Sequence, residues 1–389
     1  MSTSVSGKTM TFSMEMTAVV SVIFIIIDDN RRRYFSIYFS RKLHKINTLA
    51  LCLDQTQSYW ETKGDTKSGQ SSYRAAFMGK KSFYKLSPTY VSKVWGGDKL
   101  VHLKNRKDFD KSDGGLGETW EVSGHVSGPS FIGDKPLYDV LDVAKLPYLV
   151  KFIDAADDLS IQVHPGDEYA SRVENEKGKT ESWLILEHDE GAGIYLGLKE
   201  GIDSDRLKKA LANKEKINEL LNFIPVKKGD FFFVPAGTIH AIGKGVTLAE
   251  IQQSSGVTYR VWDWDRLGVD GKERELHVAK SLDVINFETS KNCLDYFSFK
   301  HCSQGESSEL INHADFRVDY YSDKSDQTLS TGTRDHYHSF LVLSGEVKIT
   351  VNKEEFVLKS YEAGIVSELE CADGVRVMAS EHTQYLHIY

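Results

Sequence analysis

Short β-prone runs recur along most of this chain, each five or six residues long and closed off by Gly, Pro, Asn or Asp. Examples are Tyr148–Ile153, Leu159–Val163, Ser182–Leu186, Gly193–Leu198, Asp230–Val234 and Thr258–Trp262. Runs of that length, so closely spaced and so regularly interrupted, suit an all-β sandwich or barrel. One segment departs from the pattern. From Ser204 to Phe223 the apolar residues Leu207, Ala210, Leu211, Ile217, Leu220 and Leu221 fall at helical intervals. Asp203 or Ser204 can cap its start and Pro225 lies just past its end. The spacing therefore predicts a helical insertion over about 203–223, with one apolar face packed on the β-structure.

A second β-rich block runs from about Tyr296 to the C-terminus. It holds Ser339–Leu343, Val347–Val351 and Glu355–Leu358, with turns at Ser344-Gly345 and Asn352-Lys353. A domain boundary is expected near Asn292, giving domains of 78–291 and 292–389. The β-texture begins only after Met78. Before it, an apolar run from Thr17 to Ile27 is too short to span a bilayer as a helix. The Gln/Ser/Gly/Thr/Lys-rich stretch 55–72 has the composition of a disordered linker. Residues 1–77 are accordingly expected to be a disordered or non-native extension, with no stable membrane span. The net charge of −8 over 389 residues disfavours nucleic acid as a partner. Cys52, Cys293, Cys302 and Cys371 form no C-x-x-C pair, so a reducing, cytoplasmic setting is the expectation.

Three segments carry candidate chemistry. Gln162 and His164 stand two apart in Ser160–Pro165, and in a strand they would share a face. Lys179, Glu181 and Trp183 likewise share one face of the next strand. A carboxylate turned into an apolar barrel must be paired or metal-bound, because an isolated buried charge is costly. The third segment, Gly229-x5-Pro235-x-Gly237-x2-His240, matches the second cupin motif at every fixed position. Its Pro235 and Gly237 can bend the chain so that His240 re-enters the barrel. Two His and one carboxylate suit a catalytic Zn site or a non-haem Fe(II) centre. Lys151, Lys179 and Arg260 lie near these motifs, and three converging cations suggest a phosphorylated substrate.

Taken together, the motifs resemble those of type I mannose-6-phosphate isomerases, especially the short bacterial branch, over roughly Lys81 to Tyr389. The resemblance rests on Val94-Trp95-Gly96-Gly97, Gly117-Glu118-Thr119-Trp120-Glu121 and Gly124-His125-x2-Gly128. It continues through Leu159–Pro165, Lys179-Thr180-Glu181, Val234–His240 and Glu250–Arg260. It implies a fold of two cupin (jelly-roll) barrels, with the helical insertion in the first and no metal in the second. It implies one Zn2+ held by Gln162, His164, Glu181 and His240. Arg260 is then the catalytic arginine, Lys179 and Glu250 the candidates for proton transfer, with His164 or a water at the metal as rivals. Trp95, Glu118 and Lys151 become substrate-binding positions, with Trp120 as a second possible wall of the pocket. Lys151 or Lys179 could alternatively hold the phosphate. The implied reaction interconverts mannose 6-phosphate and fructose 6-phosphate through an enediol, by a monomer or homodimer. A sugar-phosphate-binding cupin without activity and an Fe(II) cupin oxygenase are the competing expectations. One departure is Thr180, where family members often carry Pro between the Lys and the Glu. A second is in the C-terminal block, where His336-x-His338 lacks the following acidic residue.

Overall fold

The computed structural model describes residues 82–389 except 111, 113, 269, 324–326, 330–335 and 368–373, and five strands of residues 1–81. The chain forms two compact units, Met1–Lys81 and Ser82–Tyr389. In the first, Ser21–Asp29, Arg32–Ser40 and Asn47–Cys52 pair in succession, and Tyr59–Gly64 pairs with Ser71–Ala76. The rest of what was expected for residues 1–77 lies outside the described residues. Among the described residues, no helix is long and apolar enough to cross a membrane.

The second unit is mostly β-structure, as the short punctuated runs predict. A seven-stranded sheet follows the order Lys300–His301, Asp230–Val234, Glu181–His188, Val246–Gln253, Tyr148–Asp154, Gly115–Val122, Thr89–Lys93. A five-stranded sheet runs Leu221–Pro225, Gly193–Leu198, His240–Ile242, Ile161–Val163, Tyr259–Trp262. The two sheets close on a shared core in which Ile153, Trp183, Phe232 and Leu248 meet Ile194, Leu196 and Ile242.

The central strands of the larger sheet are buried on both faces. Successive side chains alternate sides, so Val150, Phe152, Leu184, Leu186, Ala249 and Ile251 face away from that core. They pack instead on Leu341, Leu343, Ile365, Leu386 and Ile388 of the C-terminal block. This double burial explains why these strands read as near-continuous apolar runs. It also makes Lys151 and Glu250, which face the inner core, conspicuous.

The C-terminal block is a second pair of sheets. Six strands run Ser308–Asn312, Arg317–Ser322, Gln384–Ile388, His338–Ser344, Ala363–Val366, Phe83–Leu86. Four others run Gln327–Leu329, Val375–Ala379, Glu346–Val351, Glu354–Lys359. Phe83, Phe340, Val347, Ile349 and Tyr385 fill the space between them. Asn352 and Lys353 both take positive φ, 48° and 68°, the backbone of a two-residue type I′ hairpin. Strand Phe83–Leu86 pairs with Ala363–Val366, so the unit opens in the C-terminal sheets before it builds the first pair. Lys300–His301 in turn extends the first pair by joining Asp230–Val234. Strands thus cross the boundary expected near Asn292 in both directions.

The helix starts where the cap predicts. The Asp203 carboxylate accepts from the Arg206 N–H at 2.7 Å, and the helix spans Ser204–Ala212. It stops well short of Phe223 because Lys214 takes a left-handed φ of 56°. A short 3-10 turn, Ile217–Leu220, and a strand, Leu221–Pro225, follow. The apolar positions of the whole stretch still pack together, because Leu207, Ala210, Ile217, Leu220 and Leu221 all lie against the outer face of the five-stranded sheet.

Candidate metal centre

The inner core changes character at one end, where strand pairing sets polar residues side by side. Gln162 lies opposite His240 on one flank and Arg260 on the other. Lys151 lies opposite Glu250, and Glu250 opposite Trp183. His164 falls just beyond the end of strand Ile161–Val163 rather than within it. Gly237 makes the bend before His240 with φ of 85°. A Cβ there would lie 2.5 Å from Asn286 Nδ2, so only glycine meets both demands.

His164, Glu181 and His240 come together, each 1 % exposed, with one ligand atom from each within 4.8 Å of the others. His164 Nδ1 lies 2.8 Å from the Val257 carbonyl, and His240 Nδ1 lies 2.9 Å from the Thr238 carbonyl. A carbonyl oxygen only accepts, so each Nδ1 carries the proton and donates it. Each Nε2 is then an acceptor beside Glu181, 3.3 Å from Oε1 for His164 and 3.6 Å from Oε2 for His240. Backbone acceptors behind the rings fix ring orientation and tautomer, as is usual for metal-binding histidines.

The protonation states agree with that role. Burial and then the Lys179 charge lower His164 to about 4, and burial lowers His240. Burial opposes ionisation of Glu181, but the Lys179 ammonium outweighs it and holds the carboxyl well below its usual range. Two neutral imidazoles and a carboxylate are the forms that bind a metal. Glu181 Oε2 is buried with no hydrogen-bond donor. His164 Nε2 and Glu181 Oε1 share the Lys179 ammonium, and two nitrogens with one carboxylate suit Zn or Fe(II).

Gln162 stands beside this cluster. Its Nε2 lies 3.4 Å from His240 Nε2. A half-turn of the amide exchanges Nε2 and Oε1 and brings a carbonyl oxygen to the same place. Lys179 stands closest of all the cations. Its Nζ touches Glu181 Oε1 and lies 3.2 Å from His164 Nε2. A metal on these ligands would meet that ammonium, whose other carboxylate neighbour is Glu250 Oε1 at 3.9 Å.

From Lys179 a row of alternating charge leads away through the barrel. Glu250 Oε1 lies 3.3 Å from Lys151 Nζ, and Lys151 lies 4.0 Å from Glu118 Oε2. Glu118 accepts from Trp120 Nε1–H at 2.8 Å, and the Lys151 ammonium sits 4.4 Å over the Trp120 ring centre. Trp120 is thus part of this row as well as of the wall. At the far end, Lys93 Nζ lies 3.0 Å from Glu118 Oε1. Burial would raise the Glu118 pKa, but Lys151 and Lys93 together bring it down to about 2. Glu250 Oε1 is buried and accepts no hydrogen bond.

Of the residues expected from sequence, Glu118, Lys151, Lys179 and Glu250 therefore join His164, Glu181 and His240 in one array. Arg260 stands beside Gln162, its Nη1 donating to the Glu275 carbonyl at 2.8 Å and its Nε buried without a partner. Trp95 is buried in the apolar core with Ile153 and Trp183. Lys93 was missed by sequence reasoning. Its only signal is its place directly before Val94-Trp95-Gly96-Gly97.

Residues 83–182 match the family model described as phosphomannose isomerase type I, catalytic domain. Mannose-6-phosphate isomerase of Streptococcus mutans is 36% identical over 285 residues, covering 69% of this chain and 86% of that protein. The crystal structure of mannose 6-phosphate isomerase from Bacillus subtilis is 26% identical, with a TM-score of 0.65, and covers 79% of this chain and all of that one. A zinc-bound mannose 6-phosphate isomerase structure, 17% identical with a TM-score of 0.59, shares the fold over 79% of this chain and 99% of its own. On this likeness, which spans 86% of the streptococcal relative, the chain belongs to the mannose-6-phosphate isomerase family.

Proposed function

We propose that this chain is a zinc-dependent aldose–ketose isomerase interconverting mannose 6-phosphate and fructose 6-phosphate. The observation that carries the reading is the buried cluster of His164, Glu181 and His240, whose two Nε2 lone pairs converge on one carboxylate, with a row of paired charges leading from it. Gln162 joins the ligand set. Zinc at these ligands supplies a Lewis acid that polarises the substrate carbonyl and neutralises charge developing on its oxygen.

Charge balance favours an anionic substrate. Lys93, Glu118, Lys151, Glu250, Lys179 and Glu181 sum to zero, so a divalent cation leaves two positive charges. A phosphate monoester carries about −1.5 to −2 at pH 7 and offsets them. Lys151 and Glu118 are the residues of the row that would hold the sugar, with Trp120 beneath it and Trp95 packed behind.

Isomerisation moves one proton from C2 to C1 of the open-chain sugar and a second from O2 to O1, so that the carbonyl passes from C1 to C2 with no net redox change. Glu250 is the base in this reading, because its buried Oε1 accepts no hydrogen bond and lies between two ammonium groups. Lys179 is the proton donor to O1 and recovers its proton from O2. Burial works against its charge, but Glu181 and Glu250 raise its pKa, so it starts protonated. Arg260 adds a permanent positive charge near the enediolate oxygens, and its unpartnered Nε is a donor free for them. A positioned acid or base contributes about 10²–10⁴-fold.

The test is fructose 6-phosphate formation from mannose 6-phosphate by purified protein, with one equivalent of zinc and after chelation. Turnover that vanishes on chelation and returns with zinc is expected. A zinc-replete protein with no turnover overturns the reading.

A further inference from the structure

Lys93 is the one charged member of the row that neither the motifs nor the reaction employs. We propose that Lys93 is a positioning residue of the active site: it takes one oxygen of Glu118 and so leaves Lys151 engaged with Glu250. This rests on the isomerase reading above.

Three observations support it. The first is the division of Glu118. Its Oε1 faces Lys93 at 3.0 Å, whereas Oε2 accepts from Trp120 Nε1 and lies 4.0 Å from Lys151. Lys151 is closer to Glu250, at 3.3 Å. Without the Lys93 charge, Glu118 would be a buried carboxylate with Lys151 as its nearest ammonium. Coulomb attraction would then draw Lys151 off Glu250, changing both the sugar contact and the charge beside the base.

The second is the backbone. Strand Thr89–Lys93 pairs with Gly115–Val122 as Val91 opposite Glu118 and Ser92 opposite Leu116, so Gly117 is passed over in a bulge. The Lys93 stem crosses that spot. A Cβ on residue 117 would lie 2.5 Å from Lys93 Cγ, 2.7 Å from its Cβ and 2.8 Å from Trp95 Cζ3. A bare glycine is what lets this lysine reach inward. Bulges commonly re-aim a side chain in this way.

The third is exposure. The Lys93 side chain is 32% exposed against 10% for Glu118. It can therefore be changed without opening a cavity, yet it touches a group sealed from water. The charged groups facing Glu118 are Lys93 and Lys151, with Glu250 and Lys179 beyond them.

The experiment compares Lys93→Met, Lys93→Arg, Glu118→Gln and the Lys93→Met/Glu118→Gln double variant, each as the zinc-loaded full chain. Lys93→Met is expected to bind zinc as wild type does and to lose about tenfold in kcat/KM. Its acid limb should move to higher pH, and Lys93→Arg should restore most of the loss. The double variant should be no worse than Glu118→Gln alone, because Lys93 acts through that carboxylate. Titration of ¹³C-labelled glutamate carboxyls should find the Glu118 signal moved upward in Lys93→Met. The proposal is overturned if Lys93→Met keeps wild-type kcat/KM at every pH. It is equally overturned if the loss is the same at every pH and Arg does not relieve it. A wild-type enzyme without turnover would instead sink the isomerase reading. The ¹³C titration would then decide the Lys93–Glu118 pairing, and an unmoved Glu118 signal would overturn it.

Discussion

Replacing Glu181 by Gln removes the carboxylate from the ligand set while nearly preserving its shape. In wild type, zinc that binds the folded chain alone adds RT ln(1 + [Zn]/Kd), about 4.1 kcal/mol at a thousandfold excess over Kd. For a unit of this size, 1 kcal/mol moves Tm by about 2 °C, so zinc should raise Tm by roughly 8 °C. Loss of partners behind metal ligands typically weakens binding about 10–100-fold, and loss of a charged ligand should cost at least as much. At a hundredfold weaker Kd the same zinc concentration adds only about 1.4 kcal/mol, or roughly 3 °C. The variant also suffers without metal. Lys179 is buried against Glu181, and removing one partner of a buried pair costs about 3–5 kcal/mol. Glu250 at 3.9 Å offsets part of that. The assay is a thermal melt of chelated and zinc-loaded protein, with zinc stoichiometry measured by atomic emission. A Glu181→Gln protein that retains one zinc per chain and the full wild-type shift would refute the ligand assignment.

Two further outcomes follow from the geometry. Arg260→Ala should keep its zinc and lose about 10²–10³-fold in kcat; steady-state kinetics near wild type would remove Arg260 from the mechanism. In the C-terminal sheets His387 is held neutral, its pKa well below the usual value through burial and then the nearby His338 and Arg317. The unfolded imidazole takes up a proton near pH 6.5, about where a free histidine side chain titrates, and the folded one resists. Its contribution to stability is therefore complete above that pH and is lost as pH falls toward the folded value, by about 1.4 kcal/mol per unit. Urea melts between pH 7 and 5 should show a shallower decline for His387→Phe, which keeps the ring stacked against Phe340 and Tyr389. An unchanged slope would contradict the assignment.

Much of this protein was legible before its fold. Gly193–Leu198 and Asp230–Val234 form strands at the bounds that their sequence suggests, because glycine and acidic residues close them locally. The three ligands His164, Glu181 and His240 were legible because each stands in a short frame whose local geometry is strict. The Gly237 bend is the clearest case. The helix was half legible. Its cap is a local hydrogen bond, but its end depends on a left-handed Lys214 that periodicity does not register.

Sequence alone therefore determined the class of fold and brought forward His164, Glu181 and His240 as candidate metal ligands. These depend on side-chain chemistry and on spacing over a few residues. Tertiary structure decided what depends on register between distant strands. It set Lys151 against Glu250 and left Trp95 in the apolar core. It took strand Phe83–Leu86 into the C-terminal sheets, and it turned Lys93 inward across Gly117 to Glu118. A lysine before a turn looks like any solvated charge, and only the strand that passes beside it settles whether it faces water or a buried carboxylate.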